Sequence, residues 1–324
     1  MKRQRRTLES KIAAASIIDK VGPALILMGL FGGMSVLYPG FLSVSNLSTI
    51  GVQASTRAIL ALGITVVIIS GGIDLSVGTV MSASMVTMGV FILYFGVNTV
   101  TGILVAIITG TCAGLVNGLL ISYGRLPPFI ATLGMLGIAQ GAALVMSKGY
   151  SMYGFPESFQ FIAAGEIVGI PFPIFAVAGA TLLVHSLLYE TKVGRYAFAI
   201  GGNEEATRRA GISTNRYKVS FYVISGCFAG IASVVLSSRI NSAHPGIGFG
   251  YELDAIAAAV IGGNSLRGGK GNVLGSVIGA LIMATIRYSL NILGISSFWQ
   301  QLALGVVLLV VVYFDQMRAM NPAT

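Results

Sequence analysis

Apolar residues run in long blocks along most of the chain, broken by short polar or glycine-rich stretches. The blocks lie near residues 21–38, 47–70, 75–95, 98–122, 127–147, 172–188, 219–238, 252–265, 273–293 and 299–316. A membrane-spanning helix needs about 20 mostly apolar residues. The pattern therefore predicts an all-α integral membrane protein with about ten transmembrane helices. The eighth block is short for a bilayer. It reads as a half-helix, which at that depth requires support from neighbouring protein.

Composition strengthens the case for lipid as solvent. The chain of 324 residues is 55% hydrophobic and only 10% charged, and its mean hydropathy is +0.85. Soluble domains carry about a quarter charged residues, so this chain cannot cover a water-exposed surface. Its net charge of +9 could mark a nucleic-acid binder, and the placement of the charges decides. A tenfold zigzag that starts inside assigns a side to every loop. Of the 20 lysines and arginines, only Lys148 and Arg239 then fall outside, and Arg57 and Arg287 fall within spans; the rest lie inside. That is the positive-inside pattern. The organisation expected is a basic cytoplasmic tail (1–20), one transmembrane domain (21–316) and a cytoplasmic tail (317–324). The basic N-terminal stretch lacks the architecture of a cleaved signal, so the first span is expected to be retained.

Two breaks are longer than the others. Residues 148–171 are outside and rich in glycine, proline and aromatics. Residues 189–218 are inside and the most charged part of the chain. Gly110, Gly114 and Gly118 recur every fourth residue on the fourth span, as Gly271, Gly275 and Gly279 do at the start of the ninth. This spacing lets helix backbones approach closely. Spans four and nine run in opposite directions, so two inverted five-helix repeats are one reading; chance among 43 glycines is the other. Cys112 and Cys227 sit in apolar runs and read as small packing residues. His185 and His244 are too few and too far apart for a metal site.

The stretch "SGGIDLSVG" (70–78) separates the second and third spans. Gly71 and Gly72 suit a helix C-terminus. Asp74 or Ser76 suits the cap of the helix that follows. Capping alone explains the stretch; a carboxylate lining a polar path is the functional alternative. Other polar residues within spans are Asn117, Asn291, Arg57, Arg287, Glu252 and Asp254, with Trp299 available to face sugar C–H surfaces. Interhelical hydrogen bonding accounts for the asparagines equally well. The arginines need partners, and Glu252 or Asp254 could supply them.

The inner segment "GGNEEATRRAGIS" (201–213) predicts a short solvent-facing helix ended by Gly211. Glu204–Arg208 and Glu205–Arg209 have the favoured i,i+4 order. On an otherwise charge-poor protein such a helix suits docking to a soluble partner. The segment resembles the Glu-Ala…Gly loop of ATP-binding cassette importer permeases, here Glu205, Ala206 and Gly211. The resemblance extends through "SGGIDLSVG" (70–78), "PPFIATLGML" (127–136), "GRYAFAIGGNEEATRRAGI" (194–212), "GYELDAIAAAVIGGNSLRGGKG" (250–271) and "SLNILGISSFWQ" (289–300). These blocks are similar, in order, to the membrane subunit of ribose-type sugar importers.

That resemblance implies a permease in the bacterial inner membrane that carries a pentose or hexose. It implies a second permease subunit, two cytoplasmic ATPase subunits and an extracytoplasmic sugar-binding protein. It places the ATPase-coupling role on Glu204, Glu205, Arg208, Arg209 and Gly211. Arg287 departs from the family pattern, which has a smaller uncharged residue there. "GGNSLRGGKG" (262–271) is not a phosphate loop, because Gly271 follows Lys270 where Ser or Thr is needed. The chain is thus expected to be a transport subunit and not an enzyme, with no cofactor of its own. The alternative is a self-contained ion-coupled carrier, for which only Asp74, Glu252 and Asp254 could serve.

Overall fold

The computed structural model describes residues 21–320. The tail expected over 1–20 and residues 321–324 lie outside the described residues. Each apolar block corresponds to one helix. These are α1 (Val21–Leu37), α2 (Val44–Ile69), α3 (Val77–Leu93), α4 (Thr99–Ser122), α5 (Pro128–Ser147), α7 (Phe172–Glu190), α9 (Thr214–Ile240), α10 (Tyr251–Ile261), α11 (Val273–Ile292) and α12 (Ser297–Met320). Six of them (α2, α4, α5, α7, α9 and α11) are long and apolar enough to cross a membrane. The eighth block is indeed short: α10 has 11 residues.

The first long break contains structure that periodicity did not predict, and the second contains more helix than the short one expected over 201–213. Residues 148–171 hold β1 (Met152–Tyr153), α6 (Glu157–Ala164), β2 (Glu166–Ile167) and β3 (Ile170–Pro171). The charged inner stretch is mostly helix, α8 (Lys192–Arg209).

Helix α2 is the centre of the fold. From Ala54 to Ile69 every residue is buried, and α7, α9, α10 and α11 pack around it. A helix apolar on all faces is what such a position selects. By contrast α4, α5 and α7 are peripheral and turn residues such as Leu104, Leu133 and Leu182 outward. Lipid tails are as apolar as leucine, so these side chains need no protein cover.

The broadest helix pairing is α4 on α9. The glycine stripe of α4 makes it possible. A Cβ at Gly110 would lie 2.2 Å from the Gly226 carbonyl oxygen, and one at Gly114 would lie 2.2 Å from that of Tyr222. The stripe of α11 faces a different neighbour: Gly275 and Gly279 abut Gly262 and Ala258 at and beside α10. The two stripes that suggested a repeat therefore do not occupy equivalent contacts.

The loops gather at two ends. At one end β1 pairs antiparallel with β4 (Ser242–Ala243), Met152 opposite Ala243, and Ser238 Oγ donates to the Phe159 carbonyl at 2.8 Å. In the same loop β2 and β3 form an antiparallel hairpin, Ile167 opposite Ile170, so this is the hairpin end. At the other, the α8 end, the Gly269 N–H donates to the Ile69 carbonyl at 2.8 Å. Arg125, Arg208, Arg209, Arg216, Lys218, Arg267 and Lys270 flank the loops of the α8 end. Lys148 is at the hairpin end, and Arg239 lies in the last turn of α9 rather than in a loop.

Between the ends, residues 241–250 run beside α3 without helical structure. Gly89 abuts Ala243, and the Gly248 N–H donates to Ser82 Oγ at 2.8 Å. Gly78 touches both the Gly248 carbonyl and Glu252. The segment thus follows α3 from Gly89 to Gly78, about 16 Å at 1.5 Å per residue. Helix α10 therefore starts deep in the fold, supported by α3.

Candidate functional site

Two features concentrate polar chemistry: the 201–213 segment at the α8 end, and carboxylate clusters buried between helices. Helix α8 breaks at Asn203, whose backbone is extended (φ −161°, ψ 98°). The break makes Asn203 a cap, its Oδ1 accepting the Ala206 N–H at 2.9 Å. A short helix over 204–209 follows. Glu204 and Glu205 occupy its first turn and Arg208 and Arg209 its last, the order that the helix dipole favours. Gly211, at φ +84°, ends it. The Gly211 N–H donates to the Arg208 carbonyl (3.0 Å) and the Ile212 N–H to the Thr207 carbonyl (3.4 Å), a pattern that needs a left-handed residue at position 211.

The ion pairs differ in part from expectation. Glu205 and Arg209 do pair, on the exposed face. Glu204 does not pair with Arg208. Lys218 Nζ on α9 donates to both Glu204 oxygens, at 2.7 and 2.8 Å. The helix begins at Glu204, so its side chain is free to turn toward α9. There the Lys218 side chain is 22% exposed, and its ammonium competes better than a solvated arginine. Arg208 instead lines a cavity with Arg125 and Lys218.

Behind this helix three glycine doublets meet. Gly201 lies against the Ile69 carbonyl and the Gly269 nitrogen, and a Cβ there would come within 1.9 Å of that oxygen. Gly268 abuts Gly71. The stretches "SGG", "GGN" and "RGGKG" are distant in sequence and form one backbone junction. Asn264 anchors the third by donating to the Ala259 carbonyl (2.6 Å) and Ser276 Oγ (2.8 Å), while Ser276 meets Thr65 of α2 at 2.7 Å. The recurrence of Gly-Gly at inner breaks was the available signal for this junction.

Asp74 is buried. Its Oδ1 accepts from the Ser76 N–H (3.0 Å) and Ser76 Oγ (2.6 Å), and its Oδ2 accepts from Ser225 Oγ of α9 (2.8 Å). Asn117 Nδ2 of α4 donates to Ser76 Oγ at 2.9 Å. The expected capping is not made: Ser76 precedes α3 but neither its hydroxyl nor Asp74 bonds the N–H groups of the first turn, and the stretch instead ties α3, α4 and α9 together. The helix before it ends as expected: the Gly71 N–H bonds to the Ile68 carbonyl (2.9 Å) and the Gly72 N–H to that of Val67 (3.0 Å). Ser225 gave no signal in the sequence, being one serine among many.

Both intramembrane arginines converge on Asp254. Arg57 Nε donates to Oδ2 at 2.9 Å. Arg287 donates through Nη2 to Oδ1 at 3.0 Å and through Nε to Oδ2 at 3.1 Å. The Tyr251 ring lies 5.1 Å from the Arg57 guanidinium carbon. Glu252, the other carboxylate that could have served, turns instead to the Gly250 N–H at 2.9 Å. Asn291 Oδ1 accepts from Gln300 Nε2 at 2.7 Å, and Trp299 is exposed. Among the described residues no cluster of His, Cys, Asp and Glu could hold a metal ion.

Residues 46–312 match the family described as branched-chain amino acid transport system, permease component. The ribose import permease protein of Bacillus subtilis (strain 168) is 39% identical over 318 residues, 98% of this chain and 98% of that protein. The D-allose transport system permease protein of Escherichia coli (strain K12) is 36% identical, covering 92% of each chain. The L-arabinose transport system permease protein of the same strain is 34% identical, covering 96% of this chain and 94% of its own. No solved structure matches the sequence. The charged capped helix, the apolar helices and these matches agree, and the chain belongs to this family of transport-system permease components.

Proposed function

We propose that the chain is the membrane-spanning subunit of an ATP-driven importer for a small sugar, and that its 204–209 helix receives the push of a cytoplasmic ATPase. The observation that carries this is mechanical. The short helix is capped at both ends, displays charge, and is joined backbone to backbone through Gly201, Ile69 and Gly269 to the central helix and the α10–α11 turn. A force on it reaches the core without a flexible side chain intervening. The coupling residues are Glu205, Arg208 and Arg209 at the docking face, with Glu204 and Gly211 fixing the helix.

Relatives named for ribose, D-allose and L-arabinose support a pentose or hexose as cargo, delivered by an extracytoplasmic binding protein. The full assembly holds two permease subunits and two ATPases, with the path at the permease interface. Asn291 and Trp299 are accessible, and Arg287 partly so, which suits the path. Asp74, Ser76, Asn117, Glu252 and Asp254 are buried, and we assign them to bracing the path walls. Of the carboxylates that an ion-coupled carrier would need, Asp254 is held by two arginines and Asp74 by hydroxyls and a backbone N–H, while Glu252 is held at one oxygen, by the Gly250 N–H.

In this reading the chain crosses the inner membrane ten times with both termini inside. Its halves are two inverted five-helix repeats, α1–α5 matching α7 and α9–α12. The packing supports this: α4 lies on α9 as α11 lies on α2, α3 lies on α4 as α10 lies on α11, and α3 lies on α9 as α10 lies on α2. The test is charge reversal. Arg208→Glu with Arg209→Glu is expected to abolish co-purification of the ATPase while membrane insertion stays normal. Normal co-purification refutes the docking role. Uptake by the reconstituted chain alone under a proton or sodium gradient refutes the ATP-driven assignment.

A further inference from the structure

We infer that the cavity between the α4–α5 turn, the 204–209 helix and the start of α9 binds the phosphate headgroup of an acidic phospholipid. The cavity holds about 560 Å³, and its polar lining is Ser122, Arg125, Glu204, Arg208, Asn215 and Lys218. Three cations face one carboxylate, and that carboxylate is already taken by Lys218. Among the described residues Arg125 and Arg208 have no ion-pair partner. Ser122 is only 6% exposed, and its hydroxyl has no hydrogen-bond partner.

Two helices also open at the cavity, α5 after Pro127 and α9 after Ser213. In neither does the cap residue's side chain bond to the first turn. Their free N–H groups and positive dipole ends add to the anion preference of the arginines.

The surroundings identify the source of the phosphate. Next to the cavity along the chain, α4 and α5 expose Leu119, Leu120, Tyr123, Phe129 and Ile130. A free phosphate has no use for that apolar wall, whereas acyl chains do. Basic pockets between spanning helices on the cytoplasmic side are suited to lipid headgroups. A headgroup there touches Arg208 of the short helix and Lys218 of α9 and braces one against the other. Its effect on transport rests on the coupling role proposed above; the binding itself does not.

The test uses the purified permease without ATPase, exchanged into phosphatidylglycerol or phosphatidylcholine, with bound lipid counted by native mass spectrometry. Wild type is expected to retain phosphatidylglycerol preferentially. R125Q/R208Q is expected to lose that retention about 30-fold, and R125Q alone about fivefold, with phosphatidylcholine retention unchanged. Equal retention of the two lipids by wild type overturns the proposal, whatever the variants do. An unaffected R125Q overturns it too, and that exposed-turn variant serves if the double variant does not fold. Saturation by inorganic phosphate with no lipid preference assigns the cavity to a soluble anion and overturns the lipid source.

Discussion

Asp254 holds two guanidiniums between helices, and the local charge balance is not neutral. The Tyr251 ring adds its face to one of them, which offsets part of the excess. Removing one partner of a buried pair leaves a charge without compensation and costs about 3–5 kcal/mol. Asp254→Asn is therefore expected to lower stability in detergent by that amount, measured by thermal or denaturant unfolding. Glu205→Ala removes only an exposed pair and is expected to cost less than about 1 kcal/mol. Wild-type stability in Asp254→Asn would contradict the bracing role. The sequence showed that Arg57 and Arg287 needed anions but could not choose between Glu252 and Asp254. That choice depends on rotation about α10, which two acidic residues in its first turn do not specify. Lys218 was likewise legible as an inner cation but not as the partner of Glu204, because i,i+4 spacing offered Arg208 and nothing local places α9 beside position 204.

Helix contacts follow a simpler rule, since a backbone-to-backbone approach admits no Cβ. Gly114→Leu is expected to prise α4 from α9, seen as poor accumulation or early thermal unfolding. Gly134, on α5, has open space around it. Gly134→Ala is expected to leave stability unchanged or raise it by up to about 1 kcal/mol, the helix-propensity difference. Gly201→Ala tests the junction: the ATPase should still co-purify, because the docking face is intact, while transport falls. Transport at the wild-type level in Gly201→Ala would show that force reaches the core by another route. Ten apolar blocks sufficed to locate ten helices, because long apolar runs carry a strong signal. The β1–β4 pairing and the junction of doublets did not emerge, since each joins segments far apart in the chain, and α6, with eight residues, is too short to show a clear apolar period.

At the scale of the molecule, the hairpin end and the α8 end differ in charge, and only one end carries the capped ionic helix. Charge sorting was readable from the chain because lysine and arginine placement is a property of loops, not of packing. The depth reached by residues 241–250 was not readable, because those residues are held there by α3 and not by their own propensity. Docking to a cytoplasmic ATPase requires that the 204–209 helix face the inner side of the membrane. The direct measurement replaces Cys112 and Cys227 by serine and places a single cysteine at Glu205 or at Val168, which is 95% exposed. Intact cells are then treated with a membrane-impermeant maleimide. Labelling at position 168 in intact cells, and at position 205 only after permeabilisation, is the predicted result. Labelling at position 205 from outside an intact cell would contradict the account.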